Sequence, residues 1–352
     1  MQYTTFCAAN SGKGFFSYFN TLLNEKDQKI YYIKGGPGSG KSTLMKRIAA
    51  MAEDAELILC SADPNSLDGV RLPKENAILI DATAPHSHEP KYLGVGGTII
   101  DLGEGIIPQK LDKAKIISLS EEKSQIYQEC YRILESAKNL HEGVFLPIRK
   151  QADMKKIIAF GDKFLKQNAL WEKREGDTLA DKRFFSAISP DGRITLSNLF
   201  SELGKNIVVL EDRFMQSHLL LDYIEKKLTS NGIYHINGYH PLFGDALLQH
   251  LIIPEVSLSI VSKDGIFPLE ISEESVAKTI NTQSYINKTF LHDHKNKLIF
   301  IKRLERELLN LACDKLMQAR TIHMKIEAEY AKGCDFDATE SLKTKLINNL
   351  FG

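Results

Sequence analysis

The sequence predicts an α/β protein made of two tandem halves, each a three-layer α/β/α arrangement with helical additions, the second half degenerate. Three observations predict it. A β-branched and aromatic run, Ile30-Tyr31-Tyr32-Ile33, passes directly into the glycine-rich stretch Lys34-Gly35-Gly36-Pro37-Gly38-Ser39-Gly40, and that into a helical pattern from Lys41 to Met51. Buried-type strands follow at Glu56-Leu57-Ile58-Leu59-Cys60 and Ala77-Ile78-Leu79-Ile80-Asp81. The same layout then recurs in the second part of a chain whose 352 residues favour two domains over one. The expected domains are 1–180, with a helical insertion, and 181–352, with C-terminal helices.

The first apolar residues, Phe6-Cys7-Ala8-Ala9, predict a short strand ending in a turn at Asn10-Ser11-Gly12-Lys13-Gly14. Apolar residues at 15, 18, 19, 22 and 23 then predict a helix over Phe15 to Leu23. Asn10 and Lys13 either shape this turn or contact a base.

The glycine-rich stretch fits G-x-x-x-x-G-K-[ST], with Gly35, Gly40, Lys41 and Ser42 at the fixed positions. Wrapping consecutive backbone N–H groups round a phosphate demands dihedrals that glycine reaches without a Cβ clash, and Gly35, Gly36, Gly38 and Gly40 supply them. The helix beginning near Lys41 would turn its unpaired N–H groups and positive end toward the same anion. Pro37, Ser39 and Thr43 complete the cradle. Lys41 would reach the β- and γ-phosphate oxygens, and the Ser42 hydroxyl would be a ligand of Mg²⁺.

Past the next strand, Asp63 stands where open α/β sheets bind ligands, as an acceptor, a metal contact or the start of an Asp63-Pro64 turn. Asp81 ends four apolar residues, and a carboxylate there would hold Mg²⁺ through water. Thr83, His86 and His88 follow at the end of the sheet that would meet a γ-phosphate or a second substrate, which makes all three sensor or base candidates, with His86 set beside Lys41 and Asp81 as catalytic. His86 and His88 have no third spaced ligand, so protein-bound zinc is not expected.

These residues resemble the P-loop NTPase superfamily. The resemblance implies binding of a nucleoside triphosphate, ATP with GTP not excluded, together with Mg²⁺, and Ala77 to Asp81 corresponds to the superfamily's Walker B strand. No glutamate follows Asp81 immediately, unlike the pattern of fast hydrolases.

Thr98 to Leu102 predicts a further short strand, whereas 119–145 and 153–171 predict helices. Arg149, Lys150, Lys155, Lys156 and Lys163 form either a phosphate-facing lid or a solvated helical face. Lys34 to Ile48 lies on Leu210 to Ile224 at an offset of 176 residues, and Ala137-Lys138-Asn139-Leu140-His141 on Ala319-Arg320-Thr321-Ile322-His323 at 182. At the second loop Gly35, Gly40, Lys41 and Ser42 fall on Glu211, Gln216, Ser217 and His218, while Ser262 stands for Asp81. Negative charge and the loss of glycine there predict that the copy binds no nucleotide.

The duplicated layout resembles a little-studied bacterial family of two-halved P-loop ATPases that are nucleotide kinase-like. That resemblance covers nearly the whole chain and implies an ATPase whose nucleotide alters packing against the worn half. A phosphotransferase and a non-enzymatic, ATP-dependent module whose second half recruits a protein are the alternatives. The tail from Ile299 to Tyr330 predicts a long helix, on which His323 and Glu327 are either a ligand pair or a solvated i,i+4 pair. Arg183 or Arg193 could serve as an arginine finger.

Composition restricts the partners. With 45 basic and 45 acidic residues no global field favours nucleic acid or a membrane surface. No apolar run of membrane-spanning length occurs, and Met1-Gln2-Tyr3-Thr4 lacks a signal peptide's features, so a cytoplasmic protein is expected. The five cysteines are scattered and odd in number, which predicts reduced, buried thiols.

Overall fold

The computed structural model describes residues 2–23, 28–83, 88–90, 92, 95–174 and 180–352. The backbone falls into two compact units, neither of them contiguous in sequence. The first takes Met1–Thr5, Phe19–Glu129 and Lys315–Gly352, and the second Phe6–Tyr18 and Cys130–Asp314.

In the first unit the strands run in the order Gln2–Phe6, Ala55–Cys60, Asp63–Leu72, Ala77–Asp81, Lys29–Lys34, Thr98–Asp101. Lys29–Lys34 has parallel partners on both sides, with Ile33 opposite Asp81 and Lys34 opposite Asp101. Asp63–Leu72 is antiparallel to both its neighbours, so the sheet is mixed. Helix Lys41–Met51 lays Leu44, Met45, Ile48 and Ala49 on this sheet, and helix Glu340–Phe351 adds Leu346, Ile347 and Leu350 to the same core. Each such aliphatic side chain withdrawn from water stabilises by about 1.5–3 kcal/mol, which fixes the helix over the end of the strand that feeds it.

The second unit repeats this order strand for strand: Ala180–Phe184, His235–Tyr239, Leu248–Ile253, Leu258–Lys263, Asn206–Glu211, Val276–Asn281. Asn206–Glu211 again lies between two parallel partners, and Leu248–Ile253 is again antiparallel to both neighbours. Helices His218–Ser230 and Met154–Gln167 cover the sheet with Leu220, Leu221, Ile224, Ile157, Phe164 and Leu165. Two small hairpins belong here, Ala8–Ser11 with Gly14–Ser17 and Ser186–Ser189 with Gly192–Thr195. Both are turned the same way. Ser11 Oγ donates to the Gly14 carbonyl at 2.7 Å and accepts from Lys13 N at 3.0 Å, and Ser189 Oγ does the same with Gly192 and Asp191 at 2.9 and 3.2 Å. Gly14 and Gly192, at φ 91° and 102°, are the residues these turns require.

Several sequence expectations need correction. Phe15 and Phe16 lie in a hairpin strand rather than a helix, because they pair with Asn10 and Ala9 across the Ser11 turn; only Phe19–Leu22 is helical. The polar stretch from Asp63 is a ten-residue strand whose apolar residues lie at its far end, where alternation is hidden. The long helices run further than their apolar stripes, over Lys113–Arg149 and Lys288–Ala331, and the chain passes from one unit to the other within each.

The five thiols form no disulfide, and Cys7, Cys130 and Cys313 are buried while Cys60 and Cys334 are half-buried. No helix among the described residues is long and apolar enough to cross a membrane.

Candidate functional site

The glycine-rich loop belongs to the first unit and links the carboxyl end of Lys29–Lys34 to helix Lys41–Met51. Gly38 and Gly40 take φ 74° and 88°, a left-handed backbone that side chains with a Cβ rarely adopt. Gly40 caps the helix without any side-chain acceptor, so no side chain of the cap competes with an incoming anion for the first amides. The Ser39 hydroxyl is buried in the loop and has no hydrogen-bond partner among the described residues.

Lys41 reaches back along the loop. Its Nζ donates to the carbonyls of Gly35 at 2.8 Å and Gly36 at 3.1 Å and lies 3.6 Å from the Asp81 carboxylate. Asp81 is brought there by the parallel register that sets it opposite Ile33. Thr83 ties the two ends together, with its N–H donating to Asp81 at 2.9 Å and its hydroxyl to the Gly35 carbonyl at 3.1 Å. Ser42 Oγ accepts from Leu67 N at 3.0 Å, which leaves its proton and a second lone pair for another ligand. Asp63 is held in a local turn by Ser66 Oγ at 2.6 Å and Asn65 N at 3.3 Å. Gly35, Gly36, Pro37, Gly38, Ser39, Gly40, Lys41, Ser42, Thr43, Asp81 and Thr83 therefore converge at one end of one sheet.

His86 lies outside the described residues. The His88 ring packs 5.7 Å from that of Phe19. Asn10 and Lys13 are residues of the second unit, where Asn10 accepts from Tyr131 at 3.3 Å and Lys13 pairs with Asp245 at 2.9 Å. Arg149, Lys150, Lys155, Lys156 and Lys163 are also in the second unit, and Lys156 there donates to the Ser284 carbonyl at 2.7 Å. Arg183 is buried in the same unit, with its guanidinium on the Lys182 carbonyl at 3.0 Å, and Arg193 donates to the Ile266 carbonyl at 2.5 Å.

Periodicity alone did not reveal what stands over the loop. The carboxyl-terminal part of helix Lys288–Ala331 lies against it: a Cβ at Gly36 would stand 2.9 Å from the Tyr330 ring, and one at Gly38 3.7 Å from the Glu327 carbonyl. His323 and Glu327 share that face, 3.7 Å apart, and Lys123 Nζ is 3.3 Å from His323 Nδ1. Burial first, then the nearby Lys123 and Lys41 charges, lower His323 to about 4, so its ring is neutral and Nδ1 accepts a hydrogen bond from the Lys123 ammonium. Burial first, then the Asp63 charge, raises Glu327. Burial likewise lowers Lys123. The i,i+4 pair noted in the sequence is thus half-exposed and lies within the electrostatic reach of Lys41 and Asp63.

In the second unit the sheet register sets Leu210 opposite Ser262 and Glu211 opposite Asn281, so Asp212, not Glu211, stands in the place of Gly35. The buried faces of the two helices align Leu44 with Leu220 and Ile48 with Ile224, and the second loop is one residue shorter. The buried Asp212 carboxylate accepts from Gln216 N at 2.8 Å, Ser217 N at 3.2 Å, Ser262 Oγ at 3.1 Å and the Ser217 hydroxyl. A side chain of the protein itself therefore occupies the amides at this helix start. Burial raises Asp212 to about 6, against the opposing pull of the Ser217 and Ser262 hydrogen bonds.

Among the described residues no cluster of three or more His, Cys, Asp or Glu side chains could hold a metal ion alone. Ser42 and Asp81 offer two oxygen donors, the number Mg²⁺ takes from protein when phosphate and water supply the rest. Comparisons with protein-family models, with curated proteins and with solved structures found no match to this chain.

Proposed function

We propose that the first unit is a P-loop nucleoside triphosphate site of the ATPase type, that it binds Mg-ATP, and that the second unit is a nucleotide-incompetent copy. The observation that carries this is the convergence of the uncapped helix start at Gly40, the Lys41 ammonium and the Asp81 carboxylate at the end of paired parallel strands. On this reading Lys41 leaves the Gly35 and Gly36 carbonyls for phosphate oxygens, and the orphaned Ser39 hydroxyl and the helix amides turn to the same anion. Ser42, and Asp81 through water, would hold Mg²⁺, which when bound would neutralise phosphate charge and polarise the γ-phosphoryl group. The Asp212 carboxylate fills the equivalent amides of the second unit, which supports its inactivity as a nucleotide site.

Hydrolysis changing the packing between the two halves is the favoured use of the nucleotide, and GTP is the alternative substrate. A phosphotransferase and a nucleotide-dependent protein-binding module are separated from it by one experiment. Mg-ATP affinity and phosphate release are measured with and without candidate hydroxyl and phosphate acceptors. Turnover with ATP alone supports the ATPase; transfer only with an acceptor supports the kinase; tight binding with neither supports the module. No uptake of ATP or GTP refutes the reading as a whole.

A further inference from the structure

The chain carries an internal comparison for every residue over the phosphate loop. At the offset that lays Ala137 to His141 on Ala319 to His323, Lys123 corresponds to Glu305 and Glu327 to Phe145. The structure pairs the same positions in both units. In the second, His141 Nδ1 meets Glu305 Oε1 at 3.0 Å; in the first, His323 Nδ1 meets Lys123 Nζ at 3.3 Å. One turn beyond each histidine the units diverge. His141 stacks on Phe145, with centroids 4.1 Å apart, and Phe145 continues to Phe214. His323 is followed instead by the Glu327 carboxylate, 3.7 Å from its Nε2.

The divergence tracks the loop. Where Lys41 and Asp81 are kept, the helix presents an acid; where their places hold Ser217 and Ser262, it presents a phenyl ring. A solvated helical face has no reason to follow the state of a loop distant in sequence. A group that works on the loop's ligand does, and Asp81 at the end of the Ala77–Asp81 strand is not immediately followed by a glutamate that could do this work.

Resting on the nucleotide reading above, we propose that Glu327 is the general base for hydrolysis, with His323 and Lys123 as its positioning residues. The water oxygen bonds to the γ-phosphorus and the bond from that phosphorus to the β–γ bridging oxygen breaks, with the electron pair remaining on the diphosphate. The water proton passes to the Glu327 carboxylate. The neutral His323 ring adds no positive charge beside that carboxylate, and burial and the Asp63 charge outweigh the Lys41 and Lys123 charges to raise its proton affinity, which suits it to accept.

The test is Glu327→Gln in the full chain, with Mg-ATP affinity by calorimetry and phosphate release in single turnover. Affinity within threefold of wild type and release slowed 100-fold or more are expected, the range that removal of a general base produces. Glu327→Asp, which keeps the carboxylate on a shorter stem, retains part of the rate. Release within threefold of wild type overturns the proposal, as does an affinity loss as large as the rate loss, which would make Glu327 a binding contact. A wild type that binds Mg-ATP without releasing phosphate also overturns it while leaving the binding site standing. A wild type that binds neither ATP nor GTP overturns the nucleotide reading itself.

Discussion

Lys41→Ala is the substitution whose effect the geometry determines most closely. The ammonium is about one-eighth exposed (12%), donates to two loop carbonyls and lies 3.6 Å from Asp81. Without nucleotide the variant loses two hydrogen bonds worth about 1 kcal/mol each, so the fold survives with a melting temperature lowered by a few degrees. Against a triphosphate the loss is larger. A unit charge pair at about 4 Å with an effective dielectric near 20 is worth about 4 kcal/mol, from which the carbonyl bonds surrendered on binding subtract about 1–2 kcal/mol. About 2–3 kcal/mol remains, or roughly a 30- to 150-fold rise in Kd. Titration calorimetry of Mg-ATP into wild type and variant measures it, and Lys41→Met, which keeps the apolar stem, separates charge from packing. A Kd within threefold of wild type in a folded variant would refute the role assigned to the ammonium.

Other outcomes follow from single groups. Gly40→Ala has open space, its nearest atom lying 3.9 Å from the added Cβ, but φ 88° makes alanine cost about 1–2 kcal/mol, readable as a lower urea midpoint. Asp212→Ala unties Gln216 N and Ser217 N, so hydrogen exchange at these amides should accelerate about tenfold, and unchanged protection would sink the capping role. Burial raises Glu305 to about 8 from 4.5, so the folded state holds a proton that the unfolded chain releases across this range. The Glu305 contribution to stability therefore falls as pH rises from about 4.5 to 8, by roughly 1 kcal/mol per unit, while the buried His141, His218, His240, His250 and His323, lowered to about 3 or 4, contribute in the opposite sense below about 6.5. Because Asp212 and Asp222, raised to about 6, titrate in the same sense as Glu305 below that pH, Glu305→Gln should flatten the slope chiefly between pH 6 and 8 in urea-unfolding series.

The loop and its helix were legible because their residues answer local demands: glycine where the backbone turns left-handed, and an apolar face at helical period behind it. Asp81 was legible because a carboxylate closing a buried strand sits where the parallel register carries it beside Lys41. Strand Asp63–Leu72 was not, since an antiparallel return strand with a polar opening has no period to betray it. Phe15 and Phe16 were misread because a serine-fixed turn overrode a stripe that also suits a helix. Lys123, and the placement of the noted His323–Glu327 pair over the loop, escaped for a different reason. Their proximity to the loop arises from two long helices, and only the repeat, read residue by residue, marks Glu327 against Phe145.

The core of the first unit contains Leu346, Ile347 and Leu350 together with Leu44 and Ile48. A ribosome makes the glycine-rich loop about three hundred residues before it makes the helix that closes the apolar layer behind it. The nascent amino-terminal segment must wait with that layer open, and the second unit, complete at Asp314, has all its parts first. Closure of the layer behind the glycine-rich loop would then follow assembly of the second unit, and a chain stopped before residue 340 would lack the helix that closes it.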